Sequence, residues 1–184
     1  RSVSRGLGDV YKRQEKAGTA AAEALIKYGA ESKKVVIICG KGNNGGDGYV
    51  IGRVLKKYSC KVDIIRLGEP RTTDSKLNAE KAIKLDIAMV NFPEDKETSF
   101  ELIKNADYIV DAVYGIGFRG ALDENTAEIA KFVNTSKAFV MAVDIPSGVG
   151  CDDGSVKGEC FKANLTVTFT TLKPAHILYP SMAV

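Results

Sequence analysis

The sequence predicts an α/β fold, a three-layer αβα arrangement around a mostly parallel sheet. Three observations carry that prediction. Short apolar runs rich in β-branched residues alternate with longer segments of helical period along most of the chain. Polar, glycine-bearing turns follow directly on three of those runs, after Cys39, Val110 and Val143. The 184 residues amount to about one domain, and the 45% apolar content is enough for one core. Strands that alternate with helices return to the same sheet by crossovers, so the sheet is expected to be parallel, with right-handed connections and helices on both faces.

Residues Arg1–Gln14, RSVSRGLGDVYKRQ, show neither an apolar period nor a signal-peptide core. They read as a non-native sequencing or assembly scar on a metagenomic fragment and are set apart from the fold, with residues 15–184 as the domain. The plain alternative is a natural basic arm. Glu15 to Ala30 is alanine-rich with a helical face, and Gly29 is a plausible stop.

The stretch on which the rest depends is Lys34 to Leu55. Val35–Cys39 is too short for a buried helix and reads as a central strand. Gly40 to Asp47 and Gly48 follow, with five glycines in nine residues. Glycine loses so much backbone freedom in regular structure that this reads as a loop, able to adopt positive φ and to admit a ligand to bare backbone. Tyr49, Val50, Val54 and Leu55 then recur at helical spacing. Strand, glycine loop and helix start together suit an anion such as a pyrophosphate, because a helix N-terminus presents unpaired N–H groups and a positive dipole end. Gly40, Gly42 and Gly45 match G-x-G-x-x-G, which alone is a weak signal.

Further along, Lys61–Arg66 is a strand, Asp74–Leu85 a helix, Ile87–Phe92 a weaker strand and Glu97–Asn105 a short helix. Tyr108–Ala112 is a strand that runs into a second glycine loop. Asn125–Thr135 is a helix, Lys137–Val143 a strand, Asp144–Lys162 a long loop and Leu165–Thr170 a last strand. The chain stops shortly after the Leu172–Pro180 run with no closing element, and both ends are read as truncated.

The net charge of +3, with both signs interspersed, makes no case for a nucleic-acid or membrane partner. Cys39, Cys60, Cys151 and Cys160 form no Cys-x-x-Cys pair, and a reduced, cytoplasmic compartment is the expectation. His176 has no second histidine, which argues against a histidine-based metal site.

GKGNNGGDGYVIGRVL resembles the signature loop of the YjeF N-terminal domain family, the NAD(P)HX epimerases. Asp111–Gly120 and Val143–Gly148 resemble two later motifs of the same family, in the same order. The resemblance runs from about Glu15 to the C-terminus. It implies a Rossmann-like sheet and epimerisation of the R and S hydrates NADHX and NADPHX in nicotinamide nucleotide repair. It also implies a homodimer and, in many bacterial members, a C-terminal ADP-dependent dehydratase domain.

Carried over residue by residue, the resemblance puts one potassium ion on Asn44 (rather than Asn43), Asp111 and Ser147. It puts the dinucleotide on Asn43, Asn44, Gly45, Gly46 and Asp47, on Gly115, Ile116, Gly117, Phe118, Arg119, Gly120 and Ala121, and on Asp144. Asp144 is the first candidate for acid–base work and Asp47 the second. Each has a plain alternative: a turn former for Asp144, a carboxylate facing a helix dipole for Asp47, a turn cap for Asp111. Arg119 offers a donor fork suited to phosphate.

Two other functions compete. Some relatives of this domain are non-catalytic nucleotide- or RNA-binding dimerisation modules and tend to lose the polar site residues, whereas Asn43, Asn44, Asp47, Asp111, Asp144 and Ser147 are present here. An NAD-dependent dehydrogenase would need an acidic ribose ligand about twenty residues past the glycine loop. Asp63 is the candidate, although it stands inside a strand rather than at its tip.

Overall fold

The structure, a computed structural model, describes residues 3–169. Thr170, His176 and the Leu172–Pro180 run lie outside the described residues. In chain order the elements are α1 (Val3–Lys27), β1 (Lys34–Cys39), α2 (Asn43–Lys57), β2 (Lys61–Arg66), α3 (Thr73–Ile83) and β3 (Ala88–Asn91). They continue with α4 (Lys96–Lys104), β4 (Tyr108–Ala112), α5 (Glu124–Thr135), β5 (Phe139–Val143) and β6 (Leu165–Val167). The strands form one sheet in the order β3-β2-β1-β4-β5-β6, and every neighbouring pair is parallel.

Side chains alternate across a strand, so a strand buried on both faces feeds two cores. β1 does this: Val35, Ile37 and Cys39 join the core under α1, α2 and α3, while Val36 and Ile38 join the core under α4 and α5. Those two apolar layers make the three-layer architecture. Helix starts are fixed locally: the Thr72 hydroxyl accepts the Ser75 N–H at 3.2 Å, and the Asp123 carboxylate accepts the Thr126 N–H at 3.0 Å.

Most boundaries agree with the sequence reading to within two residues, but two helix starts lie well ahead of it. α1 begins at Val3 rather than Glu15, and Gln14 is buried, accepting from the Asn78 amide at 3.1 Å and donating to the Asn43 carbonyl at 3.1 Å. α2 begins at Asn43, inside the stretch read as a loop, so Gly45, Gly46 and Gly48 are helical. Among the described residues no helix is long and apolar enough to cross a membrane.

Candidate active site

After β1 the chain crosses to β2 on one side of the sheet, whereas the connections after β4 and β5 run to the other side. The order therefore reverses between β1 and β4, and the loops at their carboxyl ends part to leave a crevice, the usual ligand position in such sheets. Its volume is about 1030 Å³.

The glycines let α2 reach the floor of this crevice. A Cβ on Gly40 would stand 2.1 Å from the Val113 carbonyl oxygen, and one on Gly45 would stand 2.0 Å from that of Gly40. At Gly48 it would meet Ala112 and Cys39, both at 2.8 Å. None of the glycines from Gly40 to Gly48 has a positive φ. Close approach, rather than backbone freedom, is what requires glycine here. No side chain caps the helix at Gly42, so the first-turn N–H groups are left for a ligand.

Two carboxylates stand near each other at the crevice wall. Asp144, at the tip of β5, has φ 71°, a left-handed conformation that aspartate tolerates better than most side chains. Its Oδ2 accepts the Ile116 N–H at 3.0 Å, and its Oδ1 accepts the Thr168 hydroxyl at 3.4 Å. Asp47 lies on the second turn of α2. Burial raises its carboxyl to a pKa of about 7, and the charge of Asp144 adds to the effect. Its Oδ1 is buried with no hydrogen-bond partner among the described residues. The Asn44 amide donates to the Val143 carbonyl at 3.4 Å, which ties the α2 start to the β5 tip.

Beneath this wall Asp111 and Ser147 are both fully buried. Asp111 accepts the Ser147 N–H at 2.7 Å, the Ser147 hydroxyl at 2.6 Å and the Val113 N–H at 3.2 Å. Burial outweighs those three donors and holds the Asp111 carboxyl up at about 6. The Tyr114 N–H donates to the Ser147 oxygen at 2.9 Å. Residues Tyr114 to Ile116 thus link the Asp111–Ser147 knot to Asp144.

The three motifs meet at one edge of the sheet, and Asn43, Asn44, Asp47, Asp144 and most of the Gly115–Ala121 loop line the crevice. Gly45 and Gly46 face protein instead, Gly45 against Gly40 and Gly46 against Gln14. Arg119 donates to the Ile116 and Phe118 carbonyls at 3.0 and 2.8 Å and pairs with Asp152 at 2.7 Å, so its fork is engaged with its own loop and with Asp152. Asp63 lies in mid-strand opposite Val36, away from the crevice. Lys41, which the first motif contains with no role implied for it, lines the crevice, and so do Arg71 and Pro93, which no motif marks; the strand order, once known, puts the tips of β2 and β3 there.

The four cysteines are buried. Among the described residues no three His, Cys, Asp or Glu side chains cluster to hold a metal.

The fold matches that of yeast ynu0, with a TM-score of 0.82 at 24% identity over 90% of this chain and 73% of that one. A Limosilactobacillus fermentum protein named NAD(P)H-hydrate epimerase is 36% identical over 85% of this chain and 73% of its own length. Proteins named bifunctional NAD(P)H-hydrate repair enzyme from Pyrobaculum aerophilum and Archaeoglobus fulgidus are 37% and 41% identical over 86% and 87% of this chain. The chain spans 32% of the length of each of those two. The model for the YjeF-related protein N-terminus matches residues 11–175, and the chain belongs to that family.

Proposed function

We propose that this domain is an NAD(P)H-hydrate epimerase that interconverts the C6 epimers of NADHX and NADPHX. The observation that carries the reading is the carboxylate pair Asp47 and Asp144, whose environments differ, at the wall of a crevice of dinucleotide size at the switch point. Neighbouring carboxyls in different environments are suited to opposite acid and base roles. The names of the relatives support the same activity.

C6 of the hydrate bears a hydroxyl next to the ring nitrogen. Asp47, with a pKa near 7, can protonate that hydroxyl. The C6–O bond breaks, water leaves with the bonding pair, and the nitrogen lone pair forms the C=N⁺ bond. Water then adds to the opposite face, its oxygen pair forms the new C6–O bond, and Asp144 takes the released proton. Return of a proton to Asp47 through solvent closes the cycle, with no net redox change. The Ile116 N–H holds Asp144 in position for this step. Reversible ring opening would give the same epimers by other transfers: the C6 hydroxyl gives its proton to the base, and the C6–N bond breaks onto nitrogen, which takes a proton from the acid. Reclosure on the opposite face of the carbonyl reverses both.

The potassium ion implied by the resemblance passes a chemical test of fit. Asn44, Asp111 and Ser147 supply oxygens, which hard cations prefer, and no cationic side chain is among the hydrogen-bond partners of the buried Asp111. The ion would offset that charge and stiffen the loops. The S epimer would pass to a dehydratase, fused or separate, and the domain would act as a homodimer; a light-scattering mass of one chain would remove the dimer from the scheme.

Asp144→Asn tests the assignment. Turnover of R-NADPHX, coupled to an S-specific dehydratase and corrected for spontaneous epimerisation, should fall roughly a hundredfold or more. Melting temperature should change little. Unchanged turnover with a lower melting temperature would make Asp144 a turn former and reassign its step.

A further inference from the structure

The sequence alone does not mark which hydrate the crevice prefers; the charges at its β2 end bear on that choice. Glycine-turn folds of this order set the pyrophosphate at the first helix and the adenosine ribose at the tip of β2. An acidic residue there favours a free 2′-hydroxyl, and an arginine favours a 2′-phosphate. The acidic residue just past β2 is Glu69, but Arg66 pairs with it at 3.4 Å and it does not line the crevice. Lys41 and Arg71 line it instead.

Their backbones are tied together, the Arg71 N–H donating to the Lys41 carbonyl at 2.8 Å. The Lys41 stem lies over Gly68, whose added Cβ would come within 2.4 Å of Cε. Gly68 has φ 108°, so this turn both needs glycine and leaves the lysine its path. Arg119 is ion-paired, whereas Lys41 and Arg71 are exposed and appear in none of the ion pairs among the described residues. Of the acidic groups that line the crevice, Asp47 and Asp144 belong to the reaction site; the others are Glu94 and Asp123. Asp123 is held by Thr126 and by the Tyr114 hydroxyl, with the charge of Lys41 acting on it as well. Leu67 and Pro93, at the tips of β2 and β3, give an apolar wall for a base beside the two cations.

We propose that Lys41 and Arg71 form a subsite for the adenosine 2′-phosphate, which makes NADPHX the preferred substrate over NADHX. This rests on the dinucleotide reading above and adds the end of the molecule remote from the reacting ring. The guanidinium supplies a planar fork and the ammonium a point charge, a suitable pair for one phosphate. The competing role for the same cations is the pyrophosphate, which both hydrates carry.

The test compares Arg71→Ala, Lys41→Ala and Arg71→Lys with wild type. Epimerisation of each hydrate gives kcat/KM, and titration calorimetry gives binding of adenosine 2′,5′-bisphosphate and of 5′-AMP. The alanine variants should lose at least tenfold more efficiency on NADPHX than on NADHX, mainly through KM. They should also lose at least tenfold in affinity for the bisphosphate relative to 5′-AMP. Arg71→Lys should recover part of both. Equal losses on the two hydrates would overturn the proposal in favour of a pyrophosphate contact, and no loss on either would overturn it outright. Bisphosphate binding that depends on Arg71 in a protein without epimerase activity would keep the subsite and reject the epimerase reading.

Discussion

Replacing Asp47 with asparagine should make the protein more stable, and increasingly so as the pH rises. The folded chain holds the Asp47 proton up to a pKa of about 7, against an ordinary value of 3.8. Between those values the folded state binds a proton that the unfolded chain has released, so stability contributed by this group is full below about pH 4. It is lost as the pH rises to about 7 and is constant above that. The difference corresponds to about 4 kcal/mol at ~1.4 kcal/mol per tenfold. Asp47 is half-buried and open to the crevice, so solvent reduces this, and about 1–3 kcal/mol is the working expectation. Asparagine has nearly the same shape and carries no charge to desolvate. Urea denaturation of both proteins from pH 4.5 to 8.5, in tetramethylammonium buffer, gives the stability difference directly. It should grow in favour of Asp47→Asn up to about pH 7 and then level off. A difference that stays flat across this range would refute the argument, because it would mean that Asp47 titrates as in the unfolded chain. The same variant should lose turnover, since the amide has no proton to give to the leaving hydroxyl.

The remaining predictions concern the supports of the site. Gly45→Ala should cost about 3 kcal/mol or more in chemical denaturation, because its Cβ would meet the Gly40 backbone, which cannot rotate away. Gly117→Ala, with no atom within 4 Å of the new Cβ, should leave the midpoint nearly unchanged. Ser147→Ala removes the hydroxyl bonded to Asp111 and Tyr114 and should cost about 1–3 kcal/mol in denaturant melts. If potassium sits at this knot, the wild type should melt higher in potassium than in tetramethylammonium, and Ser147→Ala should shrink that gap; an undiminished gap would remove Ser147 from the ion's ligands.

Strands were the most legible part of the sequence. Lys61–Arg66 and Tyr108–Ala112 occur with the bounds that their apolar runs suggest, because each run is closed at its end by turn residues. The three motifs at one sheet edge were legible as well, since each follows directly on a strand and a parallel sheet sends all those ends the same way. The start of α2 was not. Glycine's intrinsic helix cost argued for a loop at Gly45–Gly48, and close packing against Gly40, Cys39 and Ala112 overrode it. Lys41 sits inside the first motif with no role implied for it there, and Arg71 belongs to no motif; Arg71 comes into view only once the strand order brings the β2 tip to the crevice. The acid character of Asp47 was equally hidden, because it comes from burial and from Asp144, almost a hundred residues away in the chain.

The glycine-rich helix start also explains how the parts depend on one another. Each interior glycine costs about 1 kcal/mol of helix propensity relative to alanine. In return α2 sinks between β1 and β4 until its first turn reaches the carboxyl ends of the strands. A bulkier helix would ride higher, carrying its unpaired N–H groups, Asn44 and Asp47 away from the β5 tip. Asn44 would then lose the Val143 carbonyl, and Asp47 would lose the burial and the nearby Asp144 charge that together raise its pKa. Anion binding, loop closure and acid strength are therefore set by one packing distance. Substitutions at Gly40, Gly45 or Gly48 should reduce activity even where the chain still folds, and the pH dependence left in such variants should move toward that of an ordinary carboxylate.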